Sequence, residues 1–129
     1  VQVSQSYNMS YLKLRIKAFR DASRGVHFFS RGQHARIHLI FTFLVNLSAW
    51  MLGVSAMEWC VLLLCCALVL GMEAINSSIE HLTDLVSPQW NKQAGLVKDV
   101  AAGAVLMVCL VVAIIGIVIF SPYLLKFIR

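Results

Sequence analysis

Three long apolar blocks, at residues 37–54, 59–72 and 100–125, alternate with short polar stretches along this chain. A helix needs about 20 apolar residues to cross the hydrocarbon of a bilayer. Each block therefore predicts one membrane helix, with expected bounds of 37–54, 58–86 and 98–121. Upstream, residues 11–30 mix basic side chains with Leu12, Leu14, Ile16, Phe19, Val26, Phe28 and Phe29. That composition predicts an amphipathic helix lying at the membrane surface, with Gly25 as the place where it bends or ends. Residues 1–10 are polar and expected to be flexible. The pattern thus predicts an all-α integral membrane protein: one membrane domain over residues 1–129, a surface helix followed by three transmembrane helices. No repeat or low-complexity tract interrupts it.

The second membrane helix differs from the others because its apolar run continues into polar sequence without a break. Counted from Met57, a crossing of ~20 residues ends near Asn76. Glu73 then lies about one turn inside the hydrocarbon boundary, and Glu80 lies in the headgroup zone. At ~100° per residue, Glu73, Asn76, Ser77, Glu80 and Asp84 share a stripe about 100° wide. Ile75, Ile79, Leu82 and Val86 occupy the opposite face. An ionisable residue costs ~2.5–3.5 kcal/mol at the centre of a membrane helix on insertion scales, so its presence points to function. A single carboxylate at a helix end often caps, snorkels or pairs with a lysine such as Lys98. Five polar residues on one stripe are harder to explain in that way.

The depths of the two glutamates suggest separate tasks. They are seven residues apart, or ~10 Å at 1.5 Å per residue. A carboxylate just inside hydrocarbon loses hydration, which suits a general base; Glu73 is that candidate. A carboxylate among headgroups stays hydrated and suits Mg²⁺, a cation that takes oxygen ligands and accompanies phosphates; Glu80 is that candidate. Ser87-Pro88 is expected to stop the helix, because proline disfavours helical backbone in the residue before it. After the polar connection 87–99, Lys98-Asp99 enters the third membrane helix at a depth similar to Glu80, where a lysine can act as a point charge on phosphate. Ala101, Ala102, Gly103 and Ala104 allow close helix approach, and Pro122 punctuates the end.

Composition and charge add orientation. The chain is 60% hydrophobic and 13% charged over 129 residues, which excludes an ordinary soluble domain. Seven of its eleven basic residues (Lys13, Arg15, Lys17, Arg20, Arg24, Arg31 and Arg36) fall within residues 1–36, and none falls within 53–58. Basic loops stay inside, so the N-terminus and the 87–99 connection are expected in the cytoplasm. Trp50 and Trp59 flank the opposite turn as interfacial aromatics, and Trp90 reads as another anchor. Beside a membrane helix, a basic arm meets anionic lipid or phosphate rather than nucleic acid. No short leader-type apolar segment with a small-residue cleavage site appears, so the first helix is expected to be retained. Cys60, Cys65, Cys66 and Cys109 lie in apolar runs without CxxC spacing and read as buried free thiols. His27, His34, His38 and His81 match no compact metal-ligand set and read as surface or interfacial residues. Neither a phosphate-binding G-x-x-x-x-G-K-[ST] loop nor His-Arg-Asp and Asp-Phe-Gly elements are present.

Glu73-Ala-Ile-Asn-Ser-Ser-Ile-Glu80, then Asp84-Leu-Val-Ser-Pro88, then Lys98-Asp-Val-Ala-Ala-Gly-Ala-Val105 resembles the small prokaryotic diacylglycerol kinase family, which includes undecaprenol kinases. Arg36-Ile-His38 and Met57-Glu-Trp59 fit as well, and the resemblance covers about residues 12–121. It implies a homotrimeric helical bundle in the bacterial cytoplasmic membrane, with active sites between protomers. It also implies transfer of the γ-phosphoryl group of ATP, with Mg²⁺, to a lipid alcohol such as diacylglycerol or undecaprenol. By motif, Glu73 resembles the catalytic base and Asn76 its polar partner. Glu80 resembles a ligand of metal and ATP, and Lys98-Asp99 resemble nucleotide contacts. Gln89, Trp90 and Asn91 align with a further nucleotide-contacting segment, and Arg15 is a candidate for phosphate charge. The family usually carries a second metal-binding Glu just before Arg-x-His; here Gly32 or Gln33 stands in that place. The rival reading is therefore a non-catalytic membrane assembly or regulatory homologue that has lost part of its metal site.

Overall fold

The structure, a computed structural model, describes residues 11–128; the expectation for residues 1–10 lies outside them. Among the described residues the chain forms four helices: α1 (Tyr11–Ser30), α2 (Gln33–Leu52), α3 (Ala56–Val86) and α4 (Lys92–Ile128). Three of them, Gln33–Leu52, Ala56–Val86 and the Lys92–Lys126 part of α4, are long and apolar enough to cross a membrane. The protein is accordingly an all-α membrane protein with one preceding amphipathic helix. α3 packs most extensively against α4, less against α2, and α1 only touches α2. Large apolar side chains such as Phe41, Phe43, Leu64, Leu110 and Ile114 stay exposed on the outer faces, as hydrocarbon-facing residues do.

α1 runs unbroken through Gly25. One glycine costs only about 1 kcal/mol relative to alanine in a helix, and an Asp21–Arg24 pair one turn apart spans the preceding residues. The Arg24 hydrogen bond also holds the Asp21 carboxyl below its usual range. At the end of α1, the Gly32 N–H donates to Phe29 O at 2.9 Å. Gly32, with extended backbone, then caps α2. α2 therefore starts at Gln33, four residues before the apolar block, because helical hydrogen bonding needs no apolar side chain.

The connection from α2 to α3 is short and fully bonded. Gly53 adopts the left-handed conformation (φ 64°, ψ 44°) that ends a helix. Its N–H donates to Trp50 O at 3.3 Å, and the Val54 N–H donates to Ala49 O at 3.2 Å. Ser55 then caps α3: its Oγ accepts from the Glu58 N–H at 3.3 Å, while its own N–H donates to Glu58 Oε2 at 2.7 Å. The Tyr123 hydroxyl of α4 donates to the same oxygen at 2.6 Å. Behind these bonds Ala49, Val54, Leu62 and Ile119 form a buried cluster. Three helices are tied at one end.

α4 exceeds the expected 98–121 at both ends. It begins at Lys92 because Asn91 Oδ1 accepts from the Gln93 and Ala94 N–H groups at 2.8 and 3.4 Å, a side-chain cap. It also continues through Pro122. Proline has no N–H for the carbonyl four residues back, but the Ser121 hydroxyl reaches that carbonyl, Val118 O, at 3.4 Å. Neighbouring serine hydroxyls are one way a membrane helix tolerates proline. The cysteines are all free, yet only Cys65 is buried; Cys60 is exposed, and Cys66 and Cys109 are half-buried. The expectation of four buried thiols is corrected: apolar sequence here marks outward faces as well as buried ones.

Candidate active site at the end of the second membrane helix

Glu73 and Asn76 are the buried polar side chains among the described residues, with 4% and 6% of their surface exposed. A buried polar group is costly unless a partner satisfies it. The Asn76 Nδ2 donates to Glu80 Oε1 at 3.1 Å, one helical turn on. Its Oδ1 is buried and receives no hydrogen bond. Exchanging the two ends of the amide would set two acceptors face to face at Glu80, so the carboxylate fixes the orientation. The polar unit on this stripe comprises buried Glu73, buried Asn76 with an unused acceptor, and half-buried Glu80; the bond within it joins Asn76 to Glu80.

His38 of α2 completes this unit and corrects the sequence reading. Its Nε2 lies 4.0 Å from Glu73 Oε2, and its side chain is three-quarters covered. It is a neighbour of the candidate base rather than a free interfacial histidine. Residues 38 and 73 are too far apart for any local spacing to reveal the pairing. The available signal was the Arg36-Ile-His38 pattern, which carried no assigned role.

The remaining candidates are spread over the polar ends of α3 and α4. Lys98 Nζ lies 2.5 Å from Asp84 Oδ1, joining the last turns of α3 to the first turns of α4. The positive charge expected for phosphate is thus held by the stripe's outermost carboxylate. Trp90, 92% exposed, lines a shallow groove of about 330 Å³ with Asn91 and Asp99. Gln89 is exposed nearby, with its carbonyl accepting from the Ser87 hydroxyl at 3.3 Å. Arg15 is not brought to the stripe. Its guanidinium donates to the Tyr11 hydroxyl at 2.9 and 2.6 Å and lies over that ring at 4.9 Å. Gln33 is the exposed first residue of α2.

A larger groove of about 910 Å³ runs beside the stripe, between the end of α1 and α3. Val26, Phe28, Phe29, Arg31 and Gly32 line one wall, and Ala74, Ser77, Ser78 and His81 line the other. The Phe28 and His81 rings meet at 5.2 Å across it. Ser77 belongs to both groove and stripe, and Ala74 follows Glu73 directly in the chain.

Among the described residues, no group of three His, Cys, Asp or Glu side chains is placed to hold a metal. Mg²⁺ at phosphate-transfer sites is commonly held by one or two carboxylates, the substrate's phosphate oxygens and water. Glu80, anchored by Asn76, fits as the one carboxylate of such an arrangement. It does not fit a metal held by protein alone.

A family model of prokaryotic diacylglycerol kinases matches residues 20–120. An undecaprenol kinase of Bacillus subtilis is 31% identical over 109 residues, covering 84% of this chain and 89% of that protein. A diacylglycerol kinase of a Synechocystis strain is 34% identical over 111 residues, covering 84% of this chain but only 63% of that longer relative. The matched segment holds the buried Glu73–Asn76 unit, Glu80 and the Lys98–Asp84 pair. The chain belongs to the prokaryotic diacylglycerol kinase family, phosphotransferases that act on lipid alcohols.

Proposed function

We propose that this protein transfers the γ-phosphoryl group of ATP, with Mg²⁺, to the hydroxyl of diacylglycerol or undecaprenol at the cytoplasmic edge of a bacterial inner membrane. The observation that carries the reading is the burial of Glu73 and Asn76 on one face of α3, with Asn76 bonded to Glu80. A burial so costly is retained where a reaction uses it.

The lipid hydroxyl approaches along the groove beside Ala74 and Ser77. Glu73 takes its proton as the oxygen attacks the γ-phosphorus; the bond to the bridging oxygen breaks and ADP leaves. Asn76 keeps Glu80 aimed at the triphosphate side. Lys98 exchanges Asp84 for a phosphate oxygen, and Asp99, Trp90 and Asn91 border the nucleotide. Bound Mg²⁺ would neutralise charge on the triphosphate oxygens. Phosphoryl transfer needs mainly positioning and charge stabilisation, which this sparse set supplies. The N-terminus lies in the cytoplasm, and three copies assemble with sites between them. Gly32 or Gln33, where the family usually has an acid, leaves the metal with less negative charge around it.

The experiment is phosphate transfer from labelled ATP by purified protein in detergent, with diacylglycerol, undecaprenol and simple long-chain alcohols as separate acceptors. Labelled lipid phosphate with one acceptor assigns the substrate. No transfer to any acceptor would favour the non-catalytic reading, to which the missing acid lends support.

A further inference from the structure

The proposed reaction leaves a close neighbour of Glu73 without a task. A carboxylate rotates about its last bond, and a general base works only when one oxygen faces the proton it removes. Asn76 does not hold Glu73, because its amide N–H group is turned to Glu80. No lysine or arginine pairs with Glu73 among the described residues. The ionisable side chain placed beside it is His38 of α2, with Nε2 at 4.0 Å from Oε2.

We propose that His38 is the positioning residue for the candidate base. Its Nε2–H donates to Glu73 Oε2 and leaves Oε1 for the lipid hydroxyl. The separation exceeds the 2.7–3.2 Å of a formed N–H···O bond. Catalytic hydrogen bonds are often long before substrates bind and tighten in the reacting complex. Nε2 is the nearer nitrogen, and it carries a proton both in the cation and in one neutral tautomer, so the role does not require a charged ring. The assignment rests on the reading of Glu73 as base.

His38→Leu keeps apolar bulk without a donor; His38→Gln keeps an N–H donor near the position of Nε2. For the purified trimer or whatever assembly forms in detergent, kcat, the KM for ATP and for lipid, and the melting temperature would be measured. The expected result is a fall in kcat of roughly 10–100-fold for His38→Leu, since misplacing a reacting group by about 1 Å can cost about 100-fold. Both KM values should stay nearly constant, and His38→Gln should recover most of the lost rate. Equal kcat in the two variants at unchanged melting temperature would overturn the role, as would a change confined to KM. Should His38→Leu fail to fold, His38→Gln with native melting temperature and a rate as low as background would overturn it too. Glu73→Gln is assayed alongside. Full activity there removes the base assignment itself; an inactive Glu73→Gln with a fully active His38→Leu removes the positioning role alone.

Discussion

The two ends of the helical bundle are built on opposite rules. At the Gly53–Glu58 end the polar groups bond to one another: two backbone bonds close the turn, Ser55 and Glu58 cap each other, and Tyr123 closes over them. A buried apolar cluster lies directly behind. At the Glu73–Glu80 end Asn76 Oδ1 is buried without a donor and, among the described residues, the charged-group partner of Glu73 is a histidine at 4.0 Å. The first end spends its polar groups on holding helices together. The second keeps them available, and an unsatisfied buried acceptor is a standing cost that a substrate can relieve. The well-bonded turn and the under-bonded polar stripe lie towards opposite ends of the same helix, α3.

The largest effect that would break this division concerns Glu73. Glu73→Gln should lower phosphoryl transfer by at least about 100-fold, the low end for a general base, with assembly and melting temperature unchanged. A rate within a few-fold of wild type would mean that the buried carboxylate is structural and that both ends follow one rule.

Next in size are the residues at the polar limit of the stripe. Glu80→Gln should raise the Mg²⁺ concentration for half-maximal activity by about tenfold, leaving the KM for lipid in place. Lys98→Ala should raise the KM for ATP by about tenfold, equivalent to ~1.4 kcal/mol of binding. A shift in the lipid KM instead, measured over the same acceptor series, would reverse the assignment of the two substrates along α3.

These expectations depend unequally on what sequence reveals. The three membrane helices, the Gly53 turn and the Glu73–Asn76–Glu80 stripe are legible because each follows from local periodicity, a local conformational need or one helix face. The start of α4 at Lys92 was harder, since Asn91 and its two N–H partners sit in a polar stretch that reads as loop. Its passage through Pro122 depends on one hydroxyl, Ser121, aimed at Val118. The pairing His38–Glu73 was not legible, because it joins different helices and leaves no periodic trace; for Lys98 the sequence suggested a carboxylate partner at the helix end, and the structure identifies it as Asp84. The contact of Arg15 with Tyr11 is of the other kind, since the two lie four residues apart on α1, a spacing at which helix side chains meet.

A smaller effect sharpens the stable end. At Gly53 (φ 64°) nothing lies within 4 Å of an added Cβ, so Gly53→Ala tests backbone conformation alone. It should cost about 1–2 kcal/mol of stability, read as a lower melting temperature in detergent, with kcat unaltered. A fall in kcat at full stability would show that the turn communicates with the site.

The smallest expected change restores a missing charge. Gln33→Glu should lower the Mg²⁺ concentration for half-maximal activity a few-fold, since metal affinity follows the charge of its ligands. Gly32→Glu is the less clean variant, because a Cβ there would lie 3.1 Å from Phe29 O. If neither substitution moves the Mg²⁺ dependence of an active protein, the metal is held from another direction, such as a neighbouring copy.

Tyr123 has a consequence for how the chain is made. Its bond to Glu58 joins residues 65 apart, whereas Ser55 reaches Glu58 across three. Nearby contacts form first because closing a long loop costs more entropy. Glu58 is therefore expected to take two partners in succession during biogenesis: Ser55 as soon as the first turn of α3 forms, then Tyr123 once the last helix has docked. Chemical labelling of the Tyr123 phenol during refolding would time that second event, with protection arriving after the hairpin is complete. Simultaneous protection of both would mean that the bundle assembles in one step.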